Sequence, residues 1–338
     1  MRINKWVVVG LGILISLVFL WLAFGNLELD AVLSYIRQVN LGLLALAVIV
    51  FMLSVVLIAW RWGFLLRAVQ VIPLSYLTQL VLIGYMGNNV YPFRSGEVLR
   101  VVLLQHNQHV PLAKSATTVV VERVFDGLVM LTFVVTALMF INLPSPEVRA
   151  GIQAAAIVFL GLVAVFFVLA FRPGLMRALL RLVERLLPKR LAEIVNHIGE
   201  GILSGLEGLR SPRDLAGAVF ASYASWLVHA VVYWLVAFAF GLQLSYATML
   251  LAVGMVNLAG LIPASPGMIG VFEYFGGMAL TAVGIPNEQA QAFALVAHVV
   301  VWLPATVLGF YYLLRQGLSW SDITHAREME TKAAGSEV

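Results

Sequence analysis

The chain has 338 residues, of which 62% are hydrophobic and 11% charged; soluble domains carry roughly 25% charge, so this composition is written for a bilayer. The formal net charge of +4 comes from basic residues in short loops beside apolar runs, which is a topology signal and not a nucleic-acid patch. Cysteine is absent, which excludes disulfides, thiolate catalysis and Cys-ligated zinc.

In chain order, near-continuous apolar runs at 6–24, 41–60, 115–141, 151–171, 215–241 and 291–314 approach or exceed the roughly 20 residues needed to cross hydrocarbon. The first follows Arg2 and Lys5 as a signal peptide would, but its apolar stretch is long and no small-residue cleavage motif follows it, so it is read as a retained anchor. Two further apolar stretches, 74–110 and 248–284, are interrupted by Gly, Pro and Asn. Such residues free backbone groups that lipid cannot satisfy, and each stretch reads as a re-entrant hairpin.

Orientation follows from Lys and Arg. With the N-terminus inside, the external loops 26–40 and 142–150 hold only Arg37 and Arg149, while the inner side takes Arg2, Lys5, Arg61, Arg67, eight basic residues from Arg172 to Arg213, and Arg315, Arg327 and Lys332. That bias places both termini in the cytoplasm. The segment 172–213 mixes these charges with spaced leucines and reads as an amphipathic stretch on the inner surface. Its charge is either topogenic or a docking face for anionic lipid.

The two halves resemble each other. PFRSG at 92–96 and PASPG at 263–267 share a Pro-x-x-x-Gly frame, and the flanking spans recur in the same order with opposite predicted directions. Paired Gly/Pro-interrupted segments in inverted repeats point to a transporter's midplane site. The expected fold is therefore an all-α polytopic membrane protein of about six spanning helices and two re-entrant hairpins, arranged as an inverted-topology repeat. Its single domain covers 1–316, with repeat halves at about 41–141 and 215–314 and a polar tail at 317–338.

Charges at membrane depth mark the candidate site. Arg94, Glu97 and Arg100 have the spacing of one helix face; Glu122, Arg123 and Asp126 follow in the next span, with Arg123 able to reach Asp126 at i, i+3. Each such charge costs about 2.5–3.5 kcal/mol on insertion scales, so these residues are expected to be paired around a polar cavity. An interfacial position for either group, with side chains snorkelling to water, is the alternative. Pro92, Gly96, Pro263, Pro266, Gly267 and Gly270 supply the breaks, and Glu273 is placed to face the first hairpin's arginines. Asn88, Asn89 and Asn257 satisfy broken backbone or touch ligand. His229 and His298 admit a proton relay or simple packing. No phosphate-binding loop, zinc motif or serine-nucleophile elbow is present, and neither catalysis nor a cofactor or metal is expected.

The runs GNNVYPFRSGEVLR, ERVFDG and IPASPGMIGVFE resemble the lysylphosphatidylglycerol synthase transmembrane family, also called flippase-like domain proteins, over roughly 1–316. The resemblance implies lipid translocation, not synthesis, because only a short tail follows Arg315 where full-length synthases carry a soluble aminoacyl-transferase domain. The implied cargo is a phospholipid or another lipid with a polar, phosphate-bearing head group, moved in a bacterial or archaeal cytoplasmic membrane. A lipid-synthesising enzyme is a possible partner, and nucleic acid is not. The alternatives are a secondary transporter of a small polar solute and a non-catalytic membrane partner of a lipid-modifying enzyme.

Overall fold

The computed structural model describes residues 5–91, 95–141, 212–262 and 265–316, with isolated positions between 157 and 181. Nearly all of the predicted span 151–171 and of 172–211, and the tail from 317, lie outside the described residues. Every regular element described is helical: α1 (Lys5–Phe24), α2 (Leu29–Arg37), α3 (Leu41–Leu66), α4 (Leu74–Val90), α5 (Gly96–Gln108), α6 (Leu112–Phe140), α7 (Pro212–Ala239), α8 (Tyr246–Ala259), α9 (Val271–Thr281) and α10 (Asn287–Arg315).

Among the described residues, four helices are long and apolar enough to cross a membrane: α3, α6, α7 and α10. The anchor α1 joins them only as a pair with α2, which turns away by 81°. The sequence stops α3 too early. Its helix runs on through Trp60, Arg61 and Trp62 to Leu66, so Arg61 belongs to a span and not to an inner loop. Leu46, Ile49 and Leu53 of α3, like Leu14 and Trp21 of α1, lie exposed on the outer surface, the place an apolar solvent allows them.

Lipid gives helices no hydrophobic reason to associate, so close packing of small residues does that work. Along the broad α3–α7 contact, Ala47 and Ala59 as well as Ala218, Ala221 and Ala230 are completely buried. Buried hydroxyls bond within their own helices, Ser54 to Phe51 O at 2.8 Å and Ser222 to Ala218 O at 2.8 Å, which satisfies their donors in an apolar interior.

The two interrupted stretches are helix pairs. In the first, α4 and α5 pack on each other across the Tyr91–Ser95 break. Gly96 makes this possible: a methyl there would overlap Gly84 O and lie 2.7 Å from Asn88 N. In the second, α8 and α9 also contact each other, but the connection is longer and carries a short 3-10 turn at Pro266–Met268. Three residues there have left-handed backbone, Gly267 (φ 72°), Met268 (φ 59°) and Gly270 (φ 86°), a conformation that favours glycine.

Helix contacts come in matched pairs when α3, α4, α5 and α6 are exchanged for α7, α8, α9 and α10: α4 packs on α10 as α8 does on α6, and α5 on α6 as α9 does on α10. The helices α1 and α2 stand outside this pairing, α1 against α9 and α2 against α10.

Candidate functional site

One cavity of about 530 Å³ lies where the halves meet, and both helix breaks line it. The first pair contributes Tyr85, Asn88, Asn89, Tyr91, Glu97 and Arg100; the second contributes Asn257, Gly260, Ser265, Pro266, Gly267 and Phe272. The breaks themselves come close, since the turn at 266–268 packs on α4 and a methyl at Gly267 would meet Asn89 O at 3.3 Å.

The charged wall is a network of three arginines and three carboxylates. Glu122, on α6, is fully buried and bridges two cations: Oε1 accepts from Arg61 Nη2 at 3.2 Å and Oε2 accepts from Arg100 Nη2. Asp126, one turn further on, accepts from Arg61 Nη1, from Trp226 Nε1 at 2.7 Å and from Arg123 Nη1 at 3.5 Å. Arg123 also reaches Glu97 Oε1 at 2.8 Å. The guanidinium of Arg100 lies 4.5 Å above the Trp62 ring, whose Nε1 donates to Thr118 at 2.9 Å. Planar cations suit such a place because one fork serves a carboxylate while its face covers an indole. The set is balanced in charge, which makes its burial tolerable. Two donors are left over, for Arg61 Nε and Arg100 Nε are buried without a hydrogen-bond partner among the described residues.

The remaining predicted residues divide by role. Asn88 Oδ1 accepts from Gly96 N at 3.0 Å, so it holds the first break closed. Asn89 donates to Thr306 Oγ1 at 2.9 Å and ties that break to α10. Asn257 donates to Val253 O at 2.8 Å within its own helix. Pro266 opens the 3-10 turn, Gly267 takes one of its left-handed positions, and Gly270, also with positive φ, precedes α9. Pro92, Arg94 and Pro263 lie outside the described residues. Because α5 starts at Gly96, the helical spacing read from Arg94 to Arg100 holds only from Glu97 onward.

Glu273 does not face the arginines. Its Oε2 accepts from Gly270 N at 2.6 Å and caps α9, while Oε1 pairs with His298 Nδ1 at 2.6 Å. A carboxylate three residues into a helix is drawn to the free N–H groups at the helix start, and that local bond turns it from the first pair toward α10. His298 is stacked on Phe272 at 4.1 Å. His229 lies apart from it, among Phe51, Trp226 and Tyr233.

Sequence reasoning missed Arg61, Trp226, Tyr233 and Trp302 as cavity residues. For Arg61 the signal was available: it stands inside an unbroken helical run between two tryptophans. The others carry no mark that separates them from interface anchors.

Fold and cavity together define an all-α integral membrane protein with a polar site at the junction of two interrupted helix pairs. Residues 9–309 match the family model described as the lysylphosphatidylglycerol synthase TM region, and the chain belongs to that family. It is 24% identical to a UPF0104 membrane protein of Methanothermobacter thermautotrophicus, across 79% of this chain and 81% of that one. A UPF0104 membrane protein of Methanocaldococcus jannaschii is 23% identical, across 89% and 93%. Glycosyltransferase AglD of Haloferax volcanii is 25% identical across 91% of this chain, which spans 54% of the relative's length. No solved structure matches.

Proposed function

We propose that the protein moves lipids between bilayer leaflets, passing the polar head group through the cavity while the acyl or prenyl tails stay in the membrane. The observation that carries this reading is the convergence of both helix breaks and the charged network on one cavity, since interrupted helices at membrane depth serve ligand sites in transporters. The leftover donors of Arg61 and Arg100, with Arg94 nearby in sequence, suit the phosphate of a head group. The family's name refers to a phospholipid, which favours a lipid over a soluble solute.

In this reading the matched helix contacts belong to an inverted-topology repeat, the two interrupted pairs are re-entrant, and both termini face the cytoplasm of a bacterial or archaeal cell. The protein itself carries out no bond chemistry.

Purified protein reconstituted into liposomes with lipids labelled on the head group tests the proposal. A membrane-impermeant quencher should bleach about half of the label in empty vesicles and nearly all of it in protein-containing ones. Glu97→Ala should abolish the difference while leaving thermal stability near that of the parent, because Glu97 and Arg123 are the more exposed members of the network. Equal bleaching with and without protein, across lipids of anionic, zwitterionic and glycosylated head groups, would sink the idea.

A further inference from the structure

We infer that the half of the cavity remote from the arginines is a subsite for a hydroxylated ring, so that the cargo's head group is a sugar or similar cyclic polyol joined to a phosphate. The inference rests on the lipid-translocation reading and adds the class of head group.

Its basis is a ladder of rings that begins at the charged network. Trp226, bonded to Asp126, is followed on α7 by His229 with ring centroids 5.3 Å apart and then by Tyr233 at 5.6 Å. Tyr233 in turn meets Phe272, with ring centroids 6.1 Å apart, and Phe272 is stacked on His298. The positions 226, 229 and 233 share one helix face and extend over about 10 Å at 1.5 Å per residue. A phosphate and one attached ring cover a similar length.

Three polar atoms of this wall have no hydrogen-bond partner among the described residues: His229 Nδ1, Tyr233 Oη and Trp302 Nε1. Tyr233 is 1% exposed and His229 7%, so bulk water does not serve them. A buried donor or acceptor without a partner costs about 1–3 kcal/mol, and groups that bear such a cost in a cavity wall are those a ligand is shaped to satisfy. The partners they call for are neutral groups that both donate and accept, as hydroxyls do, held between flat apolar faces that suit the C–H face of a ring. A cationic head group fits less well, because every carboxylate lining or adjoining the cavity already has a cationic or imidazole partner.

The test uses full-length protein in nanodiscs of neutral lipid and soluble probes: inorganic phosphate, glycerol 1-phosphate, glucose 1-phosphate and phosphoethanolamine. Binding is read by thermal stabilisation. Glucose 1-phosphate should bind about tenfold tighter than glycerol 1-phosphate, the worth of one added hydrogen bond. Tyr233→Phe should erase that advantage, leave glycerol 1-phosphate binding unchanged, and melt no lower than the parent in the absence of probe, since the hydroxyl it removes has no partner to lose. Equal affinity for the two phosphates would overturn the ring subsite and leave the head-group reading intact. Tightest binding of phosphoethanolamine would overturn it in favour of a cationic head group. No binding of any probe would overturn both readings, and a Tyr233→Phe protein that melts lower with its glucose 1-phosphate preference intact would show the ladder to be packing alone.

Discussion

Glu122 is the residue on which the charged wall depends. It touches two guanidinium groups and is wholly buried, so Glu122→Gln leaves cations in an apolar interior with half their neutralisation gone. Breaking a buried pair from one side costs about 3–5 kcal/mol, and thermal unfolding in detergent should show a loss of that order. Arg100→Met combined with Glu122→Gln should lose clearly less than the two single changes together, because the second removes the charge the first strands. Additive losses would mean that Arg100 and Glu122 act independently. At this scale the sequence is a partial guide. Glu122, Arg123 and Asp126 announce themselves because a charge in an apolar run is costly and therefore conspicuous. Their partners are another matter: Arg61 sits sixty-odd residues away on a helix whose length the apolar run understates, and only the packing of α3 on α6 brings the two together. Glu273 shows the opposite failure, where a cap available within three residues outcompetes a partner across the molecule.

Among the elements, the two interrupted helix pairs were legible because glycine and proline act on the backbone itself, whatever surrounds it. What the sequence does not carry is the shape of each break. PFRSG and PASPG share a frame, yet α5 starts at Gly96 whereas α9 starts only at Val271, four residues past Gly267, because the second break spends its extra residues on a left-handed turn. The close crossing of α4 and α5 gives a sharp expectation. Gly96→Ala pushes a methyl into the backbone of α4 and should lower the melting temperature strongly or prevent folding, whereas Gly127→Ala, on α6 with open space around it, should change stability by no more than about 1 kcal/mol and in the stabilising direction. Similar melting of both variants would show that α4 and α5 do not approach this closely.

For the molecule as a whole, the predicted orientation can be read with single cysteines, since no native thiol competes. Gln38 and Val71 are both exposed and lie at opposite ends of α3. A membrane-impermeant maleimide applied to intact cells should label Gln38→Cys and spare Val71→Cys until the membrane is opened; the reverse pattern would invert the topology.

The position of α1 has a thermodynamic corollary. Ser16 Oγ donates to Ser265 Oγ at 2.7 Å and accepts from Ser265 N at 3.0 Å, while Gly270 lies so close to α1 that a methyl there would meet Ser16 O at 2.5 Å. The first interrupted pair is tied to α10 instead, through Asn89 and Thr306. For the proposed carrier, opening to the two leaflets in turn, braces to different helices on the two pairs make the two open forms unequal in free energy. Two hydrogen bonds at about 0.5–1.5 kcal/mol each bias the resting population by roughly five- to a hundred-and-fifty-fold. A carrier braced alike on both pairs would idle equally in both forms; under the translocation proposal this protein waits in one of them, and Ser16→Ala should shift it toward the other.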